Sequence, residues 1–475
     1  MTRWFVRVRS FTTTVALACA WSISFGMVPA SGALRGTAMV GIPLTVAPET
    51  LFHTLATDFN VEPDGTIYVQ TGDIPAMWLR DAAAQTLPYV RFAHVRPTLR
   101  GWIRGVIARE ARNINRDPYA NAFKENYAIW ERKWEIDSLA YPVLLAWRYE
   151  KIEGDRAIFT PRFHRALERI VATYTCERHH ARCSHYRFHA RGESSERGAV
   201  RENGLIWSAF RASDDPTRYG YNIPEQLQAI TALRDLAELA TIGYRDRRLA
   251  TRANAFAGDL ERAVAREGIV YDFPCGGAIY AFEIDGLGHR LIADDANVPS
   301  LIATPLFDSV SIDDPVYRRT RACMLSARNP YYFHSSRTSG IGSPHTPRGF
   351  VWPLALIARA LTSTRSEEIV AQLRALAASV GPSGLVHESF DPTDTRRFTR
   401  AEFGWGNAMY AELLFRAAAG FEAQPTSSPR GGFGRPLPAS IAVVDRTTAL
   451  ANRAALVHAF ERAVPLGVVG PDLGD

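Results

Sequence analysis

Cysteine is scarce in this sequence: 475 residues contain five, and one of these, Cys19, sits in an N-terminal segment that reads as removable. Four remaining thiols cannot staple a chain of this length, so its stability has to come from a hydrophobic core, for which the length is ample. Charge of one sign is also in short supply. The formal net charge is +6, and Arg3, Arg7 and Arg9 supply half of that excess, so the body carries too little positive charge to favour nucleic acid as a partner. Beyond residue 33 no uninterrupted apolar run is long enough to cross a bilayer. Nucleotide, zinc-protease and hydrolase-elbow fingerprints are missing as well: there is no G-x-G-x-x-G after a strand, no G-x-x-x-x-G-K-[ST], no H-E-x-x-H and no G-x-S-x-G. What is present is globular, with 47% hydrophobic and 22% charged residues, which excludes a disordered chain, a collagen-like repeat and a coiled-coil rod.

Three segments follow from composition. Residues 1–33 place Arg3, Arg7 and Arg9 before the apolar stretch TVALACAWSISFGMV and the small-residue run PASGA, which is the order of a secretory signal peptide; an uncleaved anchor is the competing reading. Residues 34–422 are expected to form the main folded domain. Residues 423–475 open with the Pro/Gly/Ser-rich linker PTSSPRGGFGRPLP and continue as a C-terminal tail with one amphipathic stretch around Thr447 to Val464. The expected location is secreted or periplasmic, with no stable membrane insertion once the signal is removed, and the oligomeric state is left open.

Cys176 and Cys183 lie close together in a polar stretch and are placed to close a small loop, whereas Cys275 and Cys323 read equally well as buried free thiols. The segment CERHHARCSHYRFH adds His179, His180, His185 and His189 to the first pair. Its spacing matches none of the paired zinc patterns, so a solvated loop is the better account and no metal is expected.

Apolar residues recur at helical spacing over 46–59, 81–93, 97–113, 135–151, 161–174, 223–242, 246–266, 297–304, 315–326, 349–363, 366–380 and 402–419. These segments come largely in neighbouring pairs joined by long polar connections. The fold class predicted is all-α, a toroid of helical hairpins whose loops line one rim, with minor β-hairpins in the rim loops. The hairpins are expected around Thr66–Gln70 and in IYAFEIDGLGHRLI, where Asp285-Gly286 makes a turn.

Chemistry-bearing residues cluster at the helix starts. GDIPAMWLRD brings Asp73, Trp78, Arg80 and Asp81; WERKWEID brings Trp130, Glu131, Glu135 and Asp137; WSAFRASDDPTRYGY brings Trp207, Arg211, Asp214 and Asp215. HESF supplies His387 and Glu388, RAEFGWGN supplies Glu402, Trp405 and Asn407, and His345 stands in a Gly/Ser loop. Asp81 also suits a helix cap, and acids in a first turn suit the helix dipole, so each cluster alone has a structural explanation. Their recurrence is what a carbohydrate site needs: aromatic faces for the apolar side of a sugar ring, polar groups for its hydroxyls and two carboxyl groups astride a glycosidic bond.

The strings TGDIPAMWLRDAAAQ, DPYANAF, WERKWEIDS, WSAFRASDD, IYAFEIDGLG, DDANVPSL, GSPHT and HESFDP, spread in order over about residues 45–420, closely resemble glycoside hydrolase family 125, the exo-acting α-mannosidases. The resemblance implies an (α/α)6 toroid and metal-independent hydrolysis, with inversion, of terminal non-reducing α-1,6-linked mannose, without a cofactor. It implies a mannose-containing oligosaccharide or N-glycan as the partner. Carried onto matching positions, the general acid is Asp214, with Asp215 as the fallback, and the general base is Glu388. Arg80, Asp81, Glu135, Asp137, Arg211, His345 and Glu402 are implied as substrate-binding. Asp214 is then expected to hold a proton near neutral pH while Glu388 stays ionised. Ala212 stands where the family pattern has proline, and the stretch between Phe123 and Trp130 is short, which bears on what lies beyond the terminal mannose. The alternatives are a non-catalytic mannoside-binding protein on the same toroid, or another glycosidase of that fold.

Overall fold

A computed structural model of the chain describes residues 52–189, 199–380 and 383–419. The segment expected to be a signal peptide, with Cys19, the first residues of the helix expected over 46–59, and the tail expected from 423 onward lie outside the described residues. Twelve α-helices are described: α1 (His53–Thr57), α2 (Leu79–Thr86), α3 (Pro97–Arg116), α4 (Asp137–Glu153), α5 (Pro161–Glu177), α6 (His180–Cys183), α7 (Ile223–Tyr244), α8 (Arg247–Ala263), α9 (Pro315–Met324), α10 (Pro353–Leu361), α11 (Ser366–Ser379) and α12 (Gly404–Ala419).

Their ends follow local chemistry. Thr160, Asn222 and Asp246 each accept a hydrogen bond from the backbone N–H three residues on, capping α5, α7 and α8. Proline occupies the first turn of α3, α5, α9 and α10, where its missing N–H costs nothing. Gly154 ends α4 in the left-handed region.

Burial separates two kinds of helix. All of α2 is buried, and α4 and α7 are buried around most of their circumference, whereas α3, α5 and α8 bury one face. The buried helices touch in sequence: α2 packs on α4, α4 on α7, α10 on α12, and α12 returns to α2. α8 lies against α7, α11 against α10, and α3 against α5. Tyr141 of α4 links this inner set, donating to the Val298 carbonyl at 2.9 Å and meeting the rings of Phe307 and Trp405 edge-on. The chain is helix-rich with minor strands, as expected.

One expected helix, over 297–304, is absent. The Asp294 carboxylate accepts from the backbone N–H groups of Leu301 and Ile302 at 2.7 and 3.1 Å, and Pro299 has no N–H to offer. With those donors committed to a side chain, the segment turns, and a single 3-10 turn, Thr304–Phe307, follows and packs on α7.

Among the described residues there are fourteen short strands. β1 (Phe59–Val61) pairs β2 (Ile67–Val69), the first expected hairpin. β3 (Met77–Trp78), β4 (Ala122–Phe123) and β5 (Ile129–Glu131) make one antiparallel sheet. β6 (Tyr221–Asn222) joins the sheet of β9 (Glu283–Ile284) and β10 (Arg290–Leu291), with β7 (Ile269–Asp272) and β8 (Gly277–Tyr280) forming a hairpin just before them. β11 (Tyr332–His334) pairs β12 (Ser339–Ile341), and β13 (Ser389–Phe390) pairs β14 (Phe398–Thr399). The expected turn between β9 and β10 is real. Asp285 accepts from Leu287 and His289 N–H, and Gly286 sits at φ +70, where a Cβ would lie 2.7 Å from the Arg201 carbonyl oxygen.

Both cysteine pairs are disulfides. Cys176–Cys183 closes the small loop, with Cα atoms 5.3 Å apart. Cys275 and Cys323 are also joined, with Cα atoms 5.4 Å apart, which decides between the two readings left open for them; 48 residues separate them in sequence, so only tertiary packing brings them together. Two histidines of the histidine-rich loop have side-chain partners. His180 stacks on Trp207 at 3.6 Å and hydrogen-bonds Glu177, and His179 pairs with Glu202.

Candidate active site

α2, α4 and α12 begin immediately after strands or rim loops, and the side chains at these starts converge on a cavity of about 380 Å³. Arg80, Asp81, Asp214, His345 and Glu388 line it, together with Trp78, Trp352, Phe403 and Trp405. Five of the nine sequence-predicted residues therefore meet in one space, drawn from positions more than 300 residues apart.

Arg80 organises one wall. Its guanidinium donates to Glu135 at 2.8 Å, Asp137 at 3.3 Å and Asp214 at 3.1 Å, lies 3.3 Å from Asp81, and sits 5.3 Å from the Trp405 ring centroid. Four carboxyl groups thus crowd one buried cation. Burial alone would lower the pKa of Arg80, but the surrounding carboxylates raise it well above the ordinary value. Burial pushes Asp81 up to about 6 despite Arg80, and raises Asp137 as well. It raises Glu135 furthest, with the Asp214 charge adding to the effect.

Asp214 departs from expectation. Burial pushes its carboxyl upward, but Arg80, a hydrogen bond from Glu135 and the nearby Lys133 outweigh that and bring it down to about 2. The neighbouring charges thus favour the ionised form of Asp214 and the protonated form of Glu135, and Arg80 and Asn121 each donate to both carboxyl groups. The loop carrying Asp214 is tightly wound. Asp214 sits at φ +64, its N–H donates to the Arg211 carbonyl, and Arg211 N–H donates to the Asp215 carbonyl.

Glu388 stands directly before β13, its N–H donating to the Thr399 carbonyl at 3.2 Å and its carboxylate 3.7 Å from Arg400. Arg400 is anchored by Asp73 and the Thr71 carbonyl. His345 lies 3.6 Å from Asp215, and that contact first, with the charges of Asp215, Glu388 and Asp214, raises its pKa. His387 turns away to stack on Phe398 and hydrogen-bond the Ala401 carbonyl; burial lowers its pKa, so it is neutral.

Four predicted residues do not line the cavity. Glu135 and Asp137 are fully buried behind Arg80. Arg211 braces the Asp214 loop from behind, donating to Glu283 at 2.5 Å, while Glu283 also receives the N–H groups of Arg218 and Tyr219. Glu402 pairs with His53 at 2.7 Å, outside the lining. Sequence reading passed over Lys133, Asn121 and Arg400. Each lay inside or beside a motif already singled out, but attention to acids and tryptophans hid a lysine, an amide and an arginine among them. Asn121 is the least conspicuous, yet its amide reaches Glu131, Glu135 and Asp214 at 3.0, 3.4 and 3.3 Å. Among the described residues His164, Glu168 and Asp246 group closely enough to suit a metal ion, but none of them lines the cavity.

Comparison with known proteins decides the family. Residues 44–129 and 124–415 match the pattern of the metal-independent alpha-mannosidases, GH125. The chain belongs to glycoside hydrolase family 125. The meiotically up-regulated gene 157 protein of Schizosaccharomyces pombe is 35% identical over 408 residues, covering 77% of this chain and 80% of its own length. A Streptococcus pneumoniae protein of the metal-independent alpha-mannosidase family, solved in a non-productive complex with alpha-1,6-mannobiose, is also 35% identical. It superposes with a TM-score of 0.73 over 78% of this chain and 93% of its own. A bacterial glucoamylase solved with acarbose shares the fold alone, at 11% identity and a TM-score of 0.51 over 77% of this chain and 51% of its own. The family 125 chain described here is thus a glycoside hydrolase of the α-mannosidase type, and the cavity at the helix starts is its candidate active site.

Proposed function

We propose that this family 125 enzyme removes terminal non-reducing α-1,6-linked mannose from a mannose-containing oligosaccharide or N-glycan, by single displacement with inversion, on an (α/α)6 toroid. Asp214 is the general acid and Glu388 the general base. The observation that carries this reading is that these two carboxyl groups, from loops 174 residues apart in sequence, open into one aromatic-walled cavity. Its volume of about 380 Å³ falls at the small end of ligand pockets, about 300–1,000 Å³, which suits the end of a glycan rather than its middle.

Hydrolysis needs a proton for the leaving oxygen and a water activated on the opposite face of the sugar. Glu388 polarises that water and takes its proton. The acid side delivers one proton to the glycosidic oxygen, so each turnover consumes one water and leaves the total proton count unchanged. Trp405, held over Arg80, and Trp78 offer apolar faces to the ring; His345, whose pKa the neighbouring carboxylates raise, is a donor for its hydroxyls. Attack from the face opposite the leaving group releases β-mannose. Secretion or a periplasmic location accords with the basic, apolar and small-residue order of residues 1–33.

The test is time-resolved proton NMR of the purified chain with α-1,6-mannobiose in EDTA. Early β-mannose, ahead of mutarotation, supports linkage, inversion and metal independence together. Early α-mannose would overturn the single displacement, and no release from a folded sample would overturn the substrate.

A further inference from the structure

Glu135 has the family motif's position for a sugar ligand but not the geometry of one. Its side chain is fully buried, it does not line the cavity, and Arg80 stands between it and the space where a sugar would sit. What it does touch is the acid side of the reaction. Arg80 grips Glu135 with one nitrogen and Asp214 with another, and Asn121 reaches both carboxyl groups with one amide nitrogen. Ser138 donates to the Glu135 oxygen that Arg80 also holds.

The charges around Glu135 do not balance if every acid is ionised. From α2 come Arg80 and Asp81; from the segment ahead of α4 come Glu131 and Lys133, which pair with each other at 2.7 Å; from α4 comes Asp137; from α7 comes Glu225, and from the acid loop Asp214. Asp81, Glu135, Asp137 and Asp214 therefore share one guanidinium in a buried space. Two carboxyl groups that touch cannot both ionise cheaply there, so one of each touching pair retains a proton. Asp214 has the better claim to the anion, because its side chain opens to the cavity, 16% exposed, and lies near Lys133, whereas Glu135, although Arg80 donates to it as well, is fully buried. The proton thus rests one carboxyl group behind the residue that has to use it.

We propose that Glu135 is a positioning residue that stores the catalytic proton: it holds the proton in the free enzyme and returns it to Asp214 as the glycosidic oxygen enters the cavity. This rests on Asp214 being the general acid. The transfer balances. The Glu135 O–H bond breaks as the Asp214 O–H bond forms, Asp214 then passes the proton to the leaving oxygen, and the pair is left with both carboxylates around Arg80. Glu388 meanwhile gains one proton from the attacking water. Solvent exchange restores one proton to the pair and removes one from Glu388. Substrate binding favours the transfer because the leaving oxygen approaches Asp214 and excludes the water that solvated it.

Glu135→Gln tests the idea, since it keeps an acceptor for Arg80 and a donor for Asp214 but cannot give up a proton. On α-1,6-mannobiose, kcat/KM at neutral pH should fall by about a hundredfold or more, the scale of general-acid catalysis, while an aryl mannoside with a good leaving group loses far less. The alkaline limb of the pH profile should move down by about one unit or more as Asp214 loses its partner's anionic influence. Equal losses on both substrates with an unmoved alkaline limb, in a variant that melts like the parent, would overturn the proposal. A second measurement serves if that variant does not fold. Infrared difference spectra of the parent against Asp214→Asn at neutral pH should contain one protonated-carboxyl band unique to the parent, because Glu135 ionises against Arg80 once Asp214 is neutral. No such band would also overturn the proposal. Failure of the underlying acid assignment looks different: Asp214→Asn would then depress the disaccharide and the activated mannoside equally.

Discussion

Replacing Arg80 by methionine keeps an apolar stem of similar length and removes the cation shared by Asp81, Glu135, Asp137 and Asp214. The buried anions must then stay unpaired, which costs about 3–5 kcal/mol for a pair broken from one side, or take up protons. Protonating a carboxyl group of ordinary pKa near 3.9 costs about 1.4 kcal/mol for each pH unit above that value, hence about 4 kcal/mol at pH 7 and about 1.5 kcal/mol at pH 5. In the parent, the Asp214 pKa of about 2 lies below its unfolded value, so this carboxylate contributes stability above pH 4 that is lost as the pH falls toward 2. The variant lacks that contribution. Its deficit should therefore be about 4 kcal/mol at pH 7 and shrink by about 2–3 kcal/mol at pH 5. Urea unfolding followed by circular dichroism at the two pH values measures both numbers. A deficit that is the same at pH 5 and pH 7, or smaller than about 1 kcal/mol at pH 7, would refute the claim that these acids depend on Arg80 for their charge.

Other outcomes follow from the same geometry. Glu388→Gln should lower turnover by about two to four orders of magnitude with an unchanged melting temperature, and near-normal activity would remove Glu388 from the base role. Asp58, buried against Gln85 and Thr57 and close to Glu402, has its pKa raised by burial to about 8. Folding therefore binds a proton there, and the stability it confers below pH 4 declines as the pH rises to about 8. From pH 6 to pH 9 the parent should lose roughly 2–3 kcal/mol that Asp58→Asn does not lose, measured by urea unfolding; parallel declines would refute the assignment.

Much of the fold was legible because its determinants are local. The helix caps at Thr160, Asn222 and Asp246 lie three residues from the N–H groups they satisfy, and prolines mark the helix starts. The segment 297–304 misled for a reason equally physical: its apolar spacing suits a helix, but Asp294 takes the N–H groups a helix needs, and spacing does not register that competition. Whether Cys275 and Cys323 pair was left open for a like reason, since nothing local to either residue points to the other.

The sequence by itself determined that the protein is helix-rich, that short hairpins decorate its rim, and which motifs carry its chemistry, because periodicity, caps and motif strings act over a few residues. Only the tertiary structure decided which acids face the cavity and which of them share one cation. Arg80 meets Asp214 across 134 positions, and Glu402 is drawn away to His53 across 349. Charge state follows from burial and from the sum of neighbouring charges, and both are properties of the packed molecule rather than of any segment of the chain.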